Sequence, residues 1–400
     1  MACGLLCALL FGAGPAQAAD LSLAAAIEAA FANNPELAAV RQELGIAAGE
    51  RRQAGLMPNP ELSWEAEDTR RDSRTTTVML SQALELGGKR GARIEAAERG
   101  QDAAQLELER QALELRADVV AAFHAAARAY AAVELAEQSR QLAQRGLQVA
   151  QGRVRAGQVS PIESTRAQVQ LAETELQLRR ARALRDDNLR QVARLTGLPA
   201  EGIDGLGGQA LAPGSAPAAA DLLGRLAQTP ALRLAEMQIR QREADLGAQR
   251  AQRIPDLRVS VGSQYSEQER ERVNVVGLSM PLPLFDRNQG NVLAASRRAD
   301  QARDRRNAVE LDLRTRTRSA LEQWATAANE VESFSQVILP AARTAVDSAS
   351  RGFEMGKFAF LDVLDAQRTL IDARTRYLEA LAAGSEARVA IERIYGASQP

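Results

Sequence analysis

The chain repeats itself at a spacing of about two hundred residues, and that repeat limits what it can build. Pro35 and Pro60 return as Pro230 and Pro255, each 195 positions later. Gly91, Gly157, Gln168, Leu171 and Gly197 return as Gly290, Gly356, Gln367, Leu370 and Gly396, each 199 positions later. The change of shift, 199 − 195 = 4, falls between Pro60 and Gly91. Periods of roughly 20–50 residues build solenoids; a spacing this large marks a duplicated, domain-sized unit. Each unit is therefore read separately and checked against the other.

The first unit, residues 19–199, opens with a short helix, Leu21 to Asn33. Asn34-Pro35 interrupts it, and Pro35 suits the first turn of a second helix running to about Ala54. Pro58-Asn59-Pro60 ends helical geometry. The second unit, residues 221–396, repeats this with Asp221 to Gln228, Thr229-Pro230, a helix to about Arg253, and Pro255. After each proline the hydrophobic period changes from 3.6 to 2. Leu62, Trp64 and Ala66 alternate with polar residues, then Val78, Leu80 and Leu84 follow a polar turn. Leu257, Val259, Val261 and Tyr265, then Val276, Leu278 and Leu282, repeat the pattern. The spacing predicts β-hairpins over about 60–84 and 255–283, with strands of nine to eleven residues. Such strands are long enough to cross a bilayer at a tilt.

Long helical hairpins are expected next, over about 88–196 and 287–395. Lys89 to about Arg155 contains no proline, whereas the stretch from Asn288 to about Met355 contains only Pro340. Sixty-seven residues of helix extend ~100 Å. Leu106, Leu113, Val120, Ala127 and Leu135 keep a near-heptad spacing. Glycine turns at Gly157 and Gly356 precede return helices from Pro161 to about Leu195 and from Phe360 to about Ile394. The Gly-, Ala- and Pro-rich segment 200–220 reads as the linker between the units.

The ends and the charge narrow the setting. Residues 1–18 read as a secretory signal: Leu5 to Ala13 is an apolar core, and Ala16-Gln17-Ala18 fits the small-x-small cleavage rule. The basic start of such signals is missing, which points to a start codon upstream. Cys3 and Cys7 are the only cysteines and both fall in this segment, so a processed form holds no disulfide. Neither cysteine has the context of a lipoprotein signal. Beyond it no stretch of roughly 18 apolar residues is evident, so no transmembrane helix is expected. A net charge of −1 supplies no field for nucleic acid. Walker, dinucleotide, triad and paired-histidine motifs are all missing, which argues against an enzyme and against a bound cofactor.

Four candidate membrane strands cannot close a barrel, since about eight is the smallest number that does. Unpaired strand edges cannot face lipid either, because each bare amide costs several kcal/mol there. If the strands span a membrane, several chains must share one barrel, and three chains supply 3 × 4 = 12 strands. The alternative is a soluble periplasmic coiled-coil scaffold, with the hairpins packed against helices.

The duplicated helix–hairpin–long-helix plan, the segment Asn33-Asn34-Pro35-Glu36-Leu37 and the two glycine tips resemble the TolC family of outer-membrane efflux channels over nearly the whole chain. Three segments resemble its heavy-metal efflux (CzcC-like) branch: Met57-Pro58-Asn59-Pro60-Glu61-Leu62, Leu84-Glu85-Leu86-Gly87-Gly88-Lys89-Arg90, and Pro281 to Asn291. The resemblance implies a mainly α fold: long coiled α-hairpins forming a periplasmic tube, joined to a shared 12-stranded β-barrel of a homotrimer in the outer membrane. It further implies a periplasmic adaptor and an inner-membrane proton-driven pump of the resistance-nodulation-division type, with heavy-metal cations as cargo. A duct for drugs or for secreted polypeptide is the alternative within the same fold.

The resemblance also suggests roles for particular residues. Gly157, Ser160, Gly356 and Lys357 fall on the tips that meet the adaptor. Asp362 and Asp365, three apart on one helix face, become stacked acidic rings at a periplasmic entrance gate, and Glu163 is the matching position in the first unit. Phe353 and Phe358 stand where drug-efflux relatives carry polar side chains. Trp64 and Tyr265 suit a membrane-interface girdle. His124 is the only histidine, and it lies in an alanine-rich helix where packing is the simpler role. A selective transition-metal site needs clustered soft or imidazole ligands, so any selection belongs to the pump or adaptor.

Overall fold

A computed structural model describes residues 20–68, 70–200, 203, 205–206 and 214–396. The signal expected over residues 1–18 lies outside the described residues, as does part of the linker 200–220. The element order is α1 (Leu23–Asn33), α2 (Pro35–Ala54), β1 (Glu61–Glu67), β2 (Thr75–Leu84), α3 (Lys89–Arg155) and α4 (Pro161–Thr196). The second repeat supplies α5 (Ala219–Gly224), a 3-10 turn (Leu226–Gln228), α6 (Pro230–Ala251), β3 (Leu257–Ser266), β4 (Glu271–Ser279), α7 (Gln289–Ser333), α8 (Leu339–Glu354) and α9 (Phe360–Tyr395). The duplicated plan is thus present element by element.

Two compact units form, and neither coincides with a repeat. Among the described residues, one is drawn from Met1–Asn34, Glu114–Pro217 and Ala320–Arg393; the other is drawn from Pro35–Leu113, Ala218–Ser319 and Ile394–Pro400. Each unit takes segments from both halves of the sequence, as expected when duplicated elements pack side by side.

In the first unit the core is built from small residues on long helices. Ala126 and Val192 pack with Ile203, while Val331 packs with Ala380 and Leu381. Asn34 explains part of the sequence motif around it. Its side-chain amide donates to the Leu195 carbonyl at 3.2 Å, and that of Asn33 donates to the Thr196 carbonyl at 3.4 Å. Those carbonyls end α4 and have no partner within the helix. Gly197 then turns the chain at φ 68°, and a Cβ there would stand 2.7 Å from the Cβ of Asn33. Only glycine meets both demands.

The heptad reading of α3 is correct at Leu106 and Val120, both buried, but too narrow between them and Ala129. Leu115, Ala117, Val119, Phe123, His124, Ala126 and Ala129 are buried as well, so this stretch is enclosed on several sides. The same stretch corrects another expectation. α3 holds an 18-residue window of mean hydropathy 1.3, long and apolar enough by composition to cross a membrane. In this structure 39% of that window is buried.

Pro340 leaves a visible mark in the second repeat. Residues Phe334–Ile338 form a π-helical turn, in which the Leu339 amide reaches the Phe334 carbonyl. A proline lacks the N–H of an ordinary helix bond, and the ladder widens one turn earlier to accommodate the loss. The continuous helix expected from Asn288 to about Met355 is therefore α7 and α8 joined through this bulge.

In the second unit the four strands form one antiparallel sheet in the order β1-β2-β3-β4. The central pair joins the two repeats in register from Thr75↔Ser266 to Leu84↔Leu257. β1 has seven residues, shorter than the expected nine to eleven. Asp68 ends it at φ 64°, its carboxylate accepting from the Arg70 amide at 3.0 Å and the Ser73 hydroxyl at 2.7 Å. Aspartate tolerates this left-handed conformation through such local bonds. β4 ends at Ser279, so Leu282 lies beyond the strand.

Candidate channel wall, helical tips and entrance

The register sorts the sheet into two faces of opposite character. Leu62, Trp64 and Ala66 stand opposite Leu80, Val78 and Thr76 of β2. Leu80 is opposite Val261, which is opposite Val276, and Val259 is opposite Leu278. This face is apolar and bare: Leu62 is 71% exposed, Val276 73% and Leu278 70%. A helix-packed hairpin, as in the scaffold alternative, would bury these side chains. The other face presents Glu61, Ser63, Glu65, Glu67, Thr77, Ser81, Ser260, Gln264 and Glu271 with few apolar residues. Arg258 answers Glu61 at 2.5 Å, which leaves an acidic excess on that face. Trp64 and Tyr265 share the apolar face, with Trp64 68% exposed and Tyr265 two cross-strand pairs nearer the hairpin turns. β1 and β4 are the outer strands of the sheet, and each has one edge unpaired among the described residues.

The tips are built by one backbone device used twice. Gly157 and Gly356 adopt φ 69° and 71°. The Gly157 amide donates to Val154 and the Gln158 amide to Arg153; the Gly356 amide donates to Phe353 and the Lys357 amide to Gly352. Ser160 is the N-cap of α4, with Pro161 in its first turn. In α9 the equivalent cap position is Ala359, which has no side-chain acceptor, and Asp362 takes over by accepting from the Ala359 amide at 2.9 Å. An acid three residues into a helix, reaching back to the cap amide, is half of a capping box. The sequence reading of Asp362 missed this role, although Ser160-x-x-Glu163 and its repeat carried the signal.

Asp362 and Asp365 are both solvent-exposed on α9, whereas Glu163 is half-buried with one carboxylate oxygen fully covered and unpartnered. The three are thus not equivalent. Beneath the second tip the Phe353 and Phe360 rings meet at 5.3 Å, tilted by 49°, within a cluster of Ala150, Ala167, Ala349, Val363 and Leu364. Arg153 on α3 donates to the Phe353 carbonyl at 3.1 Å and lies over its ring at 4.5 Å. The two hairpins of a chain are therefore joined at their tips by Arg153. Phe353 is buried, while Phe358 is half exposed and lies against Gly352, where a Cβ would overlap its ring.

His124 is buried, and its Nδ1 finds no hydrogen-bond partner. Burial first, then Arg388 and Arg128, hold its pKa below the ordinary value of 6.5, with Glu392 opposing. Among the described residues no group of three or more His, Cys, Asp or Glu side chains is placed to hold a metal ion.

The family model for outer membrane efflux proteins matches this chain twice, over residues 26–198 and 225–397. The chain belongs to the outer membrane efflux protein family. The doubling of the match is the sequence repeat itself. A cobalt-zinc-cadmium resistance protein, CzcC, of Cupriavidus metallidurans is 39% identical over 383 residues, spanning 96% of this chain and 92% of that one. The nickel-cobalt-cadmium resistance protein NccC of Alcaligenes xylosoxydans xylosoxydans is 28% identical over 326 residues, spanning 79% and 74%. Among solved structures, the outer-membrane channel OprN superposes with a TM-score of 0.78 at 20% identity, over 94% of this chain and 89% of that one. The Campylobacter jejuni CmeC outer membrane channel superposes with a TM-score of 0.80 at 17% identity, over 94% and 85%. The fold is therefore that of these channels, and the resemblance read from the sequence holds. As a family member the chain is an outer-membrane channel component.

Proposed function

We propose that this efflux protein is the outer-membrane exit duct of a tripartite system exporting divalent heavy-metal cations. The observation that carries the reading is the sheet: apolar on one face, polar on the other, with both outer edges open. In lipid such edges must pair, and with four strands per chain the pairing has to come from other copies. Three copies give 3 × 4 = 12 strands. The apolar face then meets lipid, and the polar face, with its excess of glutamates, lines a water-filled passage. Trp64 and Tyr265 belong to the lipid-facing side.

The cargo is inferred from the resistance proteins that the chain resembles along 96% and 79% of its length. An acidic lining suits cations. The duct itself neither selects nor transforms them and performs no catalysis. Selection falls to an inner-membrane pump of the resistance-nodulation-division type and its periplasmic adaptor.

The tips meet the adaptor in this reading. Gly157, Ser160, Gly356 and Lys357 set or decorate the reversals, and Met355, Phe358 and Leu361 leave exposed apolar surface beside them. Asp362 and Asp365 supply acidic rings at the entrance, with Glu163 the matching position in the first unit. Deleting the gene should raise sensitivity to cobalt, zinc or cadmium salts, with resistance restored by the intact gene. Unchanged sensitivity to all three, alongside increased sensitivity to drugs, would move the cargo to the drug-duct reading.

A further inference from the structure

The apolar face of the sheet does not stop where the strand pairing stops. β4 presents Val276 and Leu278 on that face, and the alternation continues through Met280, Leu282 and Leu284 beyond its last pair, Arg258↔Ser279. All three are exposed, and Phe285 beside them is 91% exposed. The segment leads into α7, so it lies at the helix-side end of the sheet, opposite the charged hairpin turns. At that same end Leu86 and Ile254 are also exposed.

Exposure alone identifies no partner, but the backbone of this connector does. Pro281 and Pro283 have no N–H to satisfy. The Leu284 amide donates to the Leu282 carbonyl at 2.8 Å. The Pro283 carbonyl accepts from the Arg287 guanidinium at 3.2 Å, and the Phe285 carbonyl accepts from the Gln289 amide group at 3.1 Å. The connector thus satisfies part of its own hydrogen bonding while turning its side chains outward, and the hydrated headgroup layer supplies partners for the rest. Asp286 and Arg287 follow at once, and they suit the polar boundary of such a layer.

The geometry points to the Met280–Phe285 connector as a lipid anchor, bedded in the inner-leaflet headgroup boundary of the outer membrane. This rests on the channel reading, because the connector continues the lipid-facing side of the sheet. Its role is to fix the depth and rotation of the barrel where the helices begin. Bilayer burial of ~5–10 Å is typical of apolar surface docked at such an interface.

The test reconstitutes the full-length protein into phospholipid vesicles and compares the parent with Phe285→Trp, and separately with Leu284→Trp as a second reporter. The added emission should be blue-shifted and should lose about half its intensity to lipids brominated near the headgroup, less to lipids brominated at the chain ends. Blue-shifted emission that no brominated lipid quenches would mean a second copy covers the connector, and would overturn the anchor. Emission typical of water at both positions would overturn it too. Ion current across planar bilayers is measured on the same preparations. Retained current with unquenched emission defeats the anchor alone, whereas absent current in the parent defeats the channel reading.

Discussion

The two helical tips share a backbone and differ in nearly everything that the backbone displays. Both reverse at a left-handed glycine, with φ 69° at Gly157 and 71° at Gly356, and both repeat the same turn hydrogen bonds 199 residues apart. The first tip surrounds that turn with Gln158, Val159 and Ser160; the second uses Lys357, Phe358 and Ala359. The first helix after the turn is capped by a serine, the second by a carboxylate reaching back from Asp362. Only the second tip stands on an aromatic pair, and that pair is gripped by an arginine of the first hairpin. A duplicated scaffold has kept the turn and released the surface. The tips share a turn and differ in what supports it and in what they can touch.

The largest effect should separate them. Phe353→Ala removes a buried ring and should cost about 3 kcal/mol, with a matching fall in unfolding midpoint. Val154→Ala, at the equivalent place in the first tip, should cost under about 1 kcal/mol. Equal losses would break the claim that the second tip alone carries an aromatic core. Next come the glycines, where the tips should behave alike: Gly157→Ala and Gly356→Ala each force a side chain into the left-handed region, at about 1–2 kcal/mol. Arg153→Ala should cost about 1–2 kcal/mol, because it removes both a charge-assisted hydrogen bond and a cation–π interaction with the Phe353 ring. Arg153→Lys should recover only part of this, because an ammonium does not reproduce the guanidinium plane.

Smaller effects divide the two aspartates. Asp362→Ala should destabilise α9 by about 1 kcal/mol through the missing cap, whereas Asp365→Ala should leave the unfolding midpoint unchanged. Single-channel conductance, or block by multivalent cations, should respond to Asp365→Ala, and an unchanged channel would remove that residue from the entrance. The subtlest test concerns His124. Its folded pKa lies below the unfolded value, so the unfolded chain binds the extra proton, and stability falls as pH drops through the region below 6.5. His124→Leu should flatten that part of the thermal-stability profile, and an identical slope in both proteins would assign the acid sensitivity elsewhere.

Much of this is legible in the sequence, for identifiable reasons. Prolines and glycines fix the breaks, so Lys89–Arg155 and Pro161–Thr196 fall close to where Pro60, Gly157 and Pro161 put them. Period-2 alternation marks the four strands and their bare face. What the sequence leaves open depends on groups meeting across long separations. Asn33 and Asn34 capping α4, 163 and 161 residues away, is invisible to any local pattern. So is Arg153 reaching Phe353, 200 residues on. Alternation overstates the seven-residue β1 because Asp68 stops the strand with side-chain bonds that alternation does not encode. Asp362 reads from the sequence only as a ring charge, although its repeat partner Glu163 follows a serine cap by three residues. In the proposed entrance Asp362 also serves helix capping, so Asp365 is the cleaner probe of conduction.

The central claim is that open-edged sheets from separate copies complete one barrel in the membrane. The most direct measurement is the mass of the detergent-extracted outer-membrane complex by native mass spectrometry. The account predicts a single species of three chains that survives dilution. A monomer as the sole species would contradict it, because β1 and β4 would then have to leave their edges bare in lipid.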